Sequence, residues 1–221
     1  MRFLTIIMFM GASILAGCDN GTVENPLPNN FAIIKALVSQ SDVPLDPRTT
    51  LTVEQIEAVE VPILLIHAMD TTGIYILMDR VTTGRFTRWG ELGGGEVIFD
   101  RNLPFRTHAF GADLLSVEAS GTIAALTKRE PATVTRMQTF LDSENQEVTI
   151  RFNCSVQSVG ETSIHSLGRN IPTFLMREHC MSEDHDVTNS YWINRKGNMA
   201  RQRVWINPRI GRLEFEFLSD Q

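Results

Sequence analysis

From residue 63 to residue 218 the chain alternates short apolar runs with turn residues. The runs cover 63–68, 73–78, 85–89, 96–99, 105–108, 132–141, 147–158, 162–166, 172–180, 190–194, 199–206 and 212–218. Between them stand turn signals such as Thr72-Gly73, Gly93-Gly94-Gly95, Asp142-Ser143-Glu144-Asn145 and Lys196-Gly197. About a dozen short strands with hairpin-sized gaps predict a mainly β fold, an antiparallel sandwich or a partly open β-barrel. Residues 110–115 are read as a helical turn between strands. Ahead of the strands the period changes. Phe31, Ile34, Leu37 and Val38 recur at helical spacing behind a suitable N-cap, Asn30, and Pro44 and Pro47 break that helix. Thr52-Val53-Glu54-Gln55 is a capping-box pattern that starts a second short helix, which must end before Pro62.

The N-terminus has a different pattern. Arg2 precedes an apolar stretch, 3–15, interrupted by Thr5 and Ser13 and followed by Ala16, Gly17 and Cys18. This is the layout of a secretory signal, and at about 13 residues the stretch is shorter than a membrane-spanning helix needs. Leu15-Ala16-Gly17-Cys18 resembles the bacterial lipobox, in which the thiol takes a diacylglyceryl group and cleavage falls before the cysteine. An uncleaved anchor or an ordinary signal peptide is the alternative. The reading is therefore a signal peptide over 1–17, lipid on Cys18, a tether over 18–30 and one mainly-β domain over 31–221. The tether holds four Asn, two Pro and Gly21, and its twelve residues after Cys18 reach at most about 40 Å. Lipid on one residue with several acyl chains gives lasting membrane attachment. Asp19 resembles an inner-membrane retention signal of some bacteria; inner versus outer membrane stays open.

Composition adds limits. The 221 residues are 43% hydrophobic, which argues against disorder. Net charge is −6, and loss of Arg2 with the signal makes it one unit more negative. That disfavours nucleic acid and anionic lipid surfaces as partners. Beyond Cys18 two cysteines remain, Cys154 and Cys180, each in an alternating strand pattern. In an oxidising compartment this even pair predicts a disulfide, closing about 26 residues and contributing on the order of 3 kcal/mol. Two buried free thiols are the alternative.

The last thirty residues are the most distinctive. Asn189-Ser190-Tyr191-Trp192-Ile193-Asn194 leads into the Lys196-Gly197 turn. Then come Arg201-Gln202-Arg203-Val204-Trp205-Ile206-Asn207-Pro208 and Gly211-Arg212-Leu213-Glu214-Phe215-Glu216-Phe217-Leu218. This block resembles the C-terminal signature of the YjbF/GfcB family of bacterial lipoproteins. There an Asn-x-Tyr-Trp strand and a Gly turn precede an Arg-Gln-Trp-x-x-Pro strand and a Leu-Glu-x-Glu strand. Arg203-Val204 between Gln202 and Trp205 departs from that pattern. Residues 84–89 and 107–114, with Gly111-x-Asp113-Leu114, look like the family's middle block. The resemblance implies a mainly β envelope lipoprotein, encoded with capsule or exopolysaccharide genes, with no established catalytic residues to carry over.

A turn centred on Lys196-Gly197 pairs Trp192 with Arg201 and Tyr191 with Gln202. Trp192, Arg201, Arg203 and Trp205 then share a face that suits a glycan, aromatic rings covering sugar CH groups and arginines bonding hydroxyls. The competing reading makes the tryptophans core and pairs the arginines with Glu214 and Glu216 on the next strand. Residues 178–186 hold Glu178, His179, Cys180, Glu183, Asp184, His185 and Asp186, but at no zinc spacing, and read as an exposed acidic loop. Gly90, Gly93, Gly94 and Gly95 do not form a phosphate loop. His67, His108 and His165 have no assignable nucleophile.

The resulting expectation is a non-enzymatic, periplasm-facing envelope lipoprotein without cofactor or metal, assisting exopolysaccharide or capsule assembly or export. Its partners would be the membrane, through lipid, and a polysaccharide or an export-machinery protein. A lipid-anchored scaffold that binds only proteins through strand edges is the second reading, and a polysaccharide-modifying enzyme the third.

Overall fold

The structure, a computed structural model, describes residues 46–218 apart from 60, 71–72 and 91–93. The expected signal peptide, Cys18, Asp19, the expected tether and the helix expected over 31–40 lie outside the described residues. Two short helices open the described chain, α1 (Pro47–Thr50) and α2 (Val53–Glu57). Thr52 and Gln55 close the expected capping box on α2. Pro47 starts a helix rather than merely breaking one. Asp46 accepts from the Arg48 amide as N-cap, and proline's fixed φ suits the first helical position.

Thirteen strands follow. They are β1 (Leu64–Ala68), β2 (Ile74–Leu77), β3 (Asp79–Thr83), β4 (Phe86–Gly90), β5 (Glu96–Asp100), β6 (Leu103–His108) and β7 (Leu114–Glu118). After α3 (Ser120–Lys128) come β8 (Ala132–Leu141), β9 (Glu147–Ser166), β10 (Arg169–Met181), β11 (Asp186–Asn194), β12 (Met199–Asn207) and β13 (Gly211–Phe217). Nine form one antiparallel sheet in the order β2-β1-β13-β12-β11-β10-β9-β8-β7, and β3-β4-β5-β6 form a second. The large sheet curls into a half-barrel. Pairing irregularities after Leu114, Leu175, Trp192 and Trp205 supply the extra local twist that curling needs.

The core fills the space between the sheets. Phe215 and Phe217 of β13 meet Phe99 at ring-centroid distances of 5.4 and 5.5 Å, and Trp89 meets Phe217 at 6.0 Å. Burying each such ring contributes roughly 1.5–3 kcal/mol. Ile123 and Leu126 of α3 join this core. Leu64 and Ile66 of β1 also point into it, whereas Leu65 points the other way, under Leu51, Ile56 and Val59. Both faces of β1 are covered, which is why its sequence is apolar apart from His67.

Two expectations change, and one helix is new. The helical turn read over 110–115 is a bend that leads into a strand. Asp113 accepts from the amides of Ala109 (3.2 Å) and Phe110 (3.3 Å), and β7 begins at Leu114. The runs at 147–158 and 162–166 form one strand, because Val159 is bulged out between Ser158 and Gly160 without ending the pairing with β10. Helix α3 was not read from the sequence at all. Its Gly121 is there for contact, since a Cβ would stand 2.8 Å from a Val134 methyl. Cys154 and Cys180 sit directly opposite each other in β9 and β10 and are joined by a disulfide.

Candidate functional site on the outer face of the C-terminal strands

Tyr191 stands opposite Gln202 and Trp192 opposite Arg201, the pairs read from the Lys196-Gly197 turn, with an irregularity nearer the turn where Ile193 pairs with Met199. Strand alternation turns Gln202 and Val204 into the core and leaves Arg201 and Arg203 on the outer face. On β13, Glu216 stands opposite Arg201 and Glu214 opposite Arg203. Two carboxylates and two guanidiniums thus meet on one patch. Arg201 Nη2 lies 2.7 Å from Glu216 Oε2, and Arg203 Nε lies 2.5 Å from Glu214 Oε2. Arg48 of α1 reaches over from outside the sheet, pairing with Glu214 and lying 3.5 Å from Glu216, while Asp46 holds its other nitrogens. Ser166 donates to Glu216, and the His165 carbonyl accepts from Arg201 at 2.9 Å.

These contacts fix the charges. Burial alone would push the Glu214 carboxyl up, but Arg203, Arg201 and Arg48 hold it below the usual carboxylate range. Asp46 follows the same logic, burial being overridden by Arg48. The patch is closed at one end and open at the other: the Glu214 and Glu216 side chains are 2% and 1% exposed, whereas that of Arg203 is 42% exposed. Its guanidinium lies 5.3 Å from the Trp192 ring centroid. A planar cation stacked on an indole presents a flat, partly wet shelf with N–H groups at its rim, suited to a polyhydroxylated surface.

The model of the family described as group 4 capsule polysaccharide lipoprotein GfcB, YjbF matches residues 30–218, which include every strand described above. The chain belongs to this family. As a member of a lipoprotein family it is assigned to the cell envelope and to capsule-related processes. The crystal structure of the hypothetical lipoprotein YmcC from Escherichia coli (K12) has the same fold. The TM-score is 0.69 at 16% identity, covering 77% of this chain and 90% of that one. No curated protein matches the chain.

Within this family member, the four residues proposed as a glycan face do not all come together. Trp192, Arg201 and Arg203 do, with the arginines engaged by Glu216 and Glu214 as the competing reading had it. Trp205 leaves them. Its ring packs against His185 (5.4 Å), Phe152 (5.7 Å) and Phe140 (6.2 Å), where the pairing of β12 with β13 becomes irregular.

A second charged cluster, missed from the sequence, lies on the concave side. Glu178 is wholly buried. It accepts from Arg136 Nη1 (3.2 Å), Asn189 Nδ2 (2.8 Å), the Tyr191 hydroxyl (2.7 Å) and Thr122. Arg136 also donates to Gln138, which donates in turn to the backbone carbonyls of Trp205 and Ile206. Arg136 Nη2 has no partner. Burial, reinforced by Glu178, pushes the Tyr191 phenol well up; Arg136 stays charged because Glu178 outweighs its burial. The exposed acidic loop expected over 178–186 is thereby corrected. Strand β10 runs to Met181, and the turn is confined to residues 182–185. The signal was there: Glu178 occupies the inward register between Met176 and Cys180. Among the described residues, Cys154, Glu178 and Cys180 bring candidate metal donors within 4.8 Å, but both sulfurs are spent on the disulfide, leaving one carboxylate.

Proposed function

We propose that this lipoprotein, held at a periplasm-facing membrane by lipid on Cys18, assists the assembly or export of capsule or exopolysaccharide. It grips the polymer on the outer face of β11–β13 without altering it chemically. The observation that carries this reading is the half-exposed Arg203 guanidinium over Trp192, in a family tied to capsule polysaccharide. Glu214 and Glu216 hold the arginines in place, so the shelf is preorganised and loses little freedom on binding.

The test is surface and secreted polysaccharide in a strain lacking the gene, complemented with the wild type, Cys18→Ala or Trp192→Ala. The expected result is polymer loss that wild type restores and both variants fail to restore. Polymer unaffected by the deletion would overturn the pathway. Full rescue by Trp192→Ala would move the function to a protein partner and leave the scaffold reading.

A further inference from the structure

A recess of about 190 Å³ opens between the two sheets, lined in part by Arg80, Trp89, Arg101, Asn102, Asn198 and Phe217. A second recess of the same volume shares Arg101 and Asn102. None of Trp192, Arg201 and Arg203 lines either. Two observations single this place out. The first is backbone conformation. Arg101 opens the two-residue turn between β5 and β6 at φ +56°, a left-handed conformation that glycine adopts freely and an arginine does not. A bulky cation held at a glycine-favouring position on the rim of a recess points to a use for the cation. Its guanidinium forms no ion pair with a described residue, and the nearby Asp100 is 3.3 Å from Arg85. The second is the support beneath. Gln202, wholly buried, donates to the Asn102 carbonyl at 2.8 Å and pins the turn to β12, while its Oε1 has no partner.

Among the described residues that line the recesses, the charged side chains are arginines. Arg80 lies 5.4 Å from the Trp89 ring centroid, so a cation covers the aromatic floor. No carboxylate of a described residue lines either recess, although the whole chain carries a charge of −6. Arginine guanidinium matches a carboxylate through paired N–H donors, and side-chain amides bond hydroxyls. We infer that the recess takes an acidic sugar unit, a uronate within a polysaccharide, with Arg101 on its carboxylate and Asn102 and Asn198 on its hydroxyls. This deepens the polymer-contact reading and rests on it.

The experiment is calorimetric titration of the full-length chain in detergent with oligosaccharides of hyaluronan, alginate and polygalacturonate, and with neutral chitotetraose. At least one acidic oligosaccharide should bind, and chitotetraose at least about tenfold more weakly. Arg101→Gly relieves the left-handed backbone, so its Tm should equal or exceed wild type, yet it should weaken acidic binding about tenfold. Equal binding of acidic and neutral sugars, or unchanged binding by Arg101→Gly, overturns the inference. So does failure of every acidic oligosaccharide to bind. Acidic binding lost in Trp192→Ala but kept in Arg101→Gly sinks this recess while leaving the outer-face reading intact. The gene-deletion phenotype tests that reading separately.

Discussion

The curled sheet carries a carboxylate–guanidinium cluster on each face, and the two are built differently. On the outer face, Glu214 and Glu216 share Arg48, Arg201 and Arg203, and the last stays 42% exposed beside Trp192. On the concave face, one carboxylate, Glu178, gathers Arg136, Asn189, Tyr191 and Thr122 with no access to water. The outer cluster has a cation to offer a ligand. The inner one has none to spare, because removing any partner leaves a buried charge or hydroxyl uncompensated. Charged residues on adjacent strands thus serve opposite ends, and exposure of the guanidinium separates them.

The sharpest way to break the comparison is Glu178→Ala. It strands Arg136 in the core and should cost about 3–5 kcal/mol in urea unfolding. A cost under about 1 kcal/mol would mean that the inner cluster is no structural lock. The next effect is on pH. Glu214 titrates below its ordinary value in the fold, so its contribution is complete above the ordinary carboxylate pKa and is lost as pH falls through the folded one. Tyr191 is shifted upward, so its contribution is complete below about 10 and is lost as pH rises through its higher folded value. Acid should therefore loosen the outer cluster and alkali the inner one. Thermal melts across pH should show both limbs, with Tyr191→Phe flattening the alkaline limb alone. The smallest effect on stability belongs to Arg203→Ala. Its partly exposed pair should be worth no more than about 1 kcal/mol, while binding of the polymer drops. Unchanged binding with a large loss of Tm would make Arg203 structural.

Local features carried most of what the sequence revealed. The pairing of Trp192 with Arg201 was legible from the Lys196-Gly197 turn signal, the capping box at Thr52 from four consecutive residues, and the disulfide from an even cysteine pair in an exported chain. What escaped depends on long-range geometry. Arg48 meets Glu214 across 166 positions, and Gln138 meets the Ile206 carbonyl across 68, contacts that exist only because the sheet curls. Trp205 has the right parity for the outer face, but the pairing irregularity beside it could not be seen in alternation. Glu178 was visible as an acid in an inward register and was assigned to a loop because its neighbours are acidic.

The pairing of β1 with β13 joins Leu64 to Phe217, near the two ends of the described chain. A ribosome or translocase delivers β1 before, and β13 after, every other described strand. Until residue 217 has emerged, β1 and β2 have no place in the large sheet, and Glu214 and Glu216 are absent from Arg48. Folding of the complete sheet is thus deferred until β13 is available, with the slow closure expected of so distant a contact. A chain shortened before Gly211 would lose the strand that joins β1 and β2 to the rest of the large sheet.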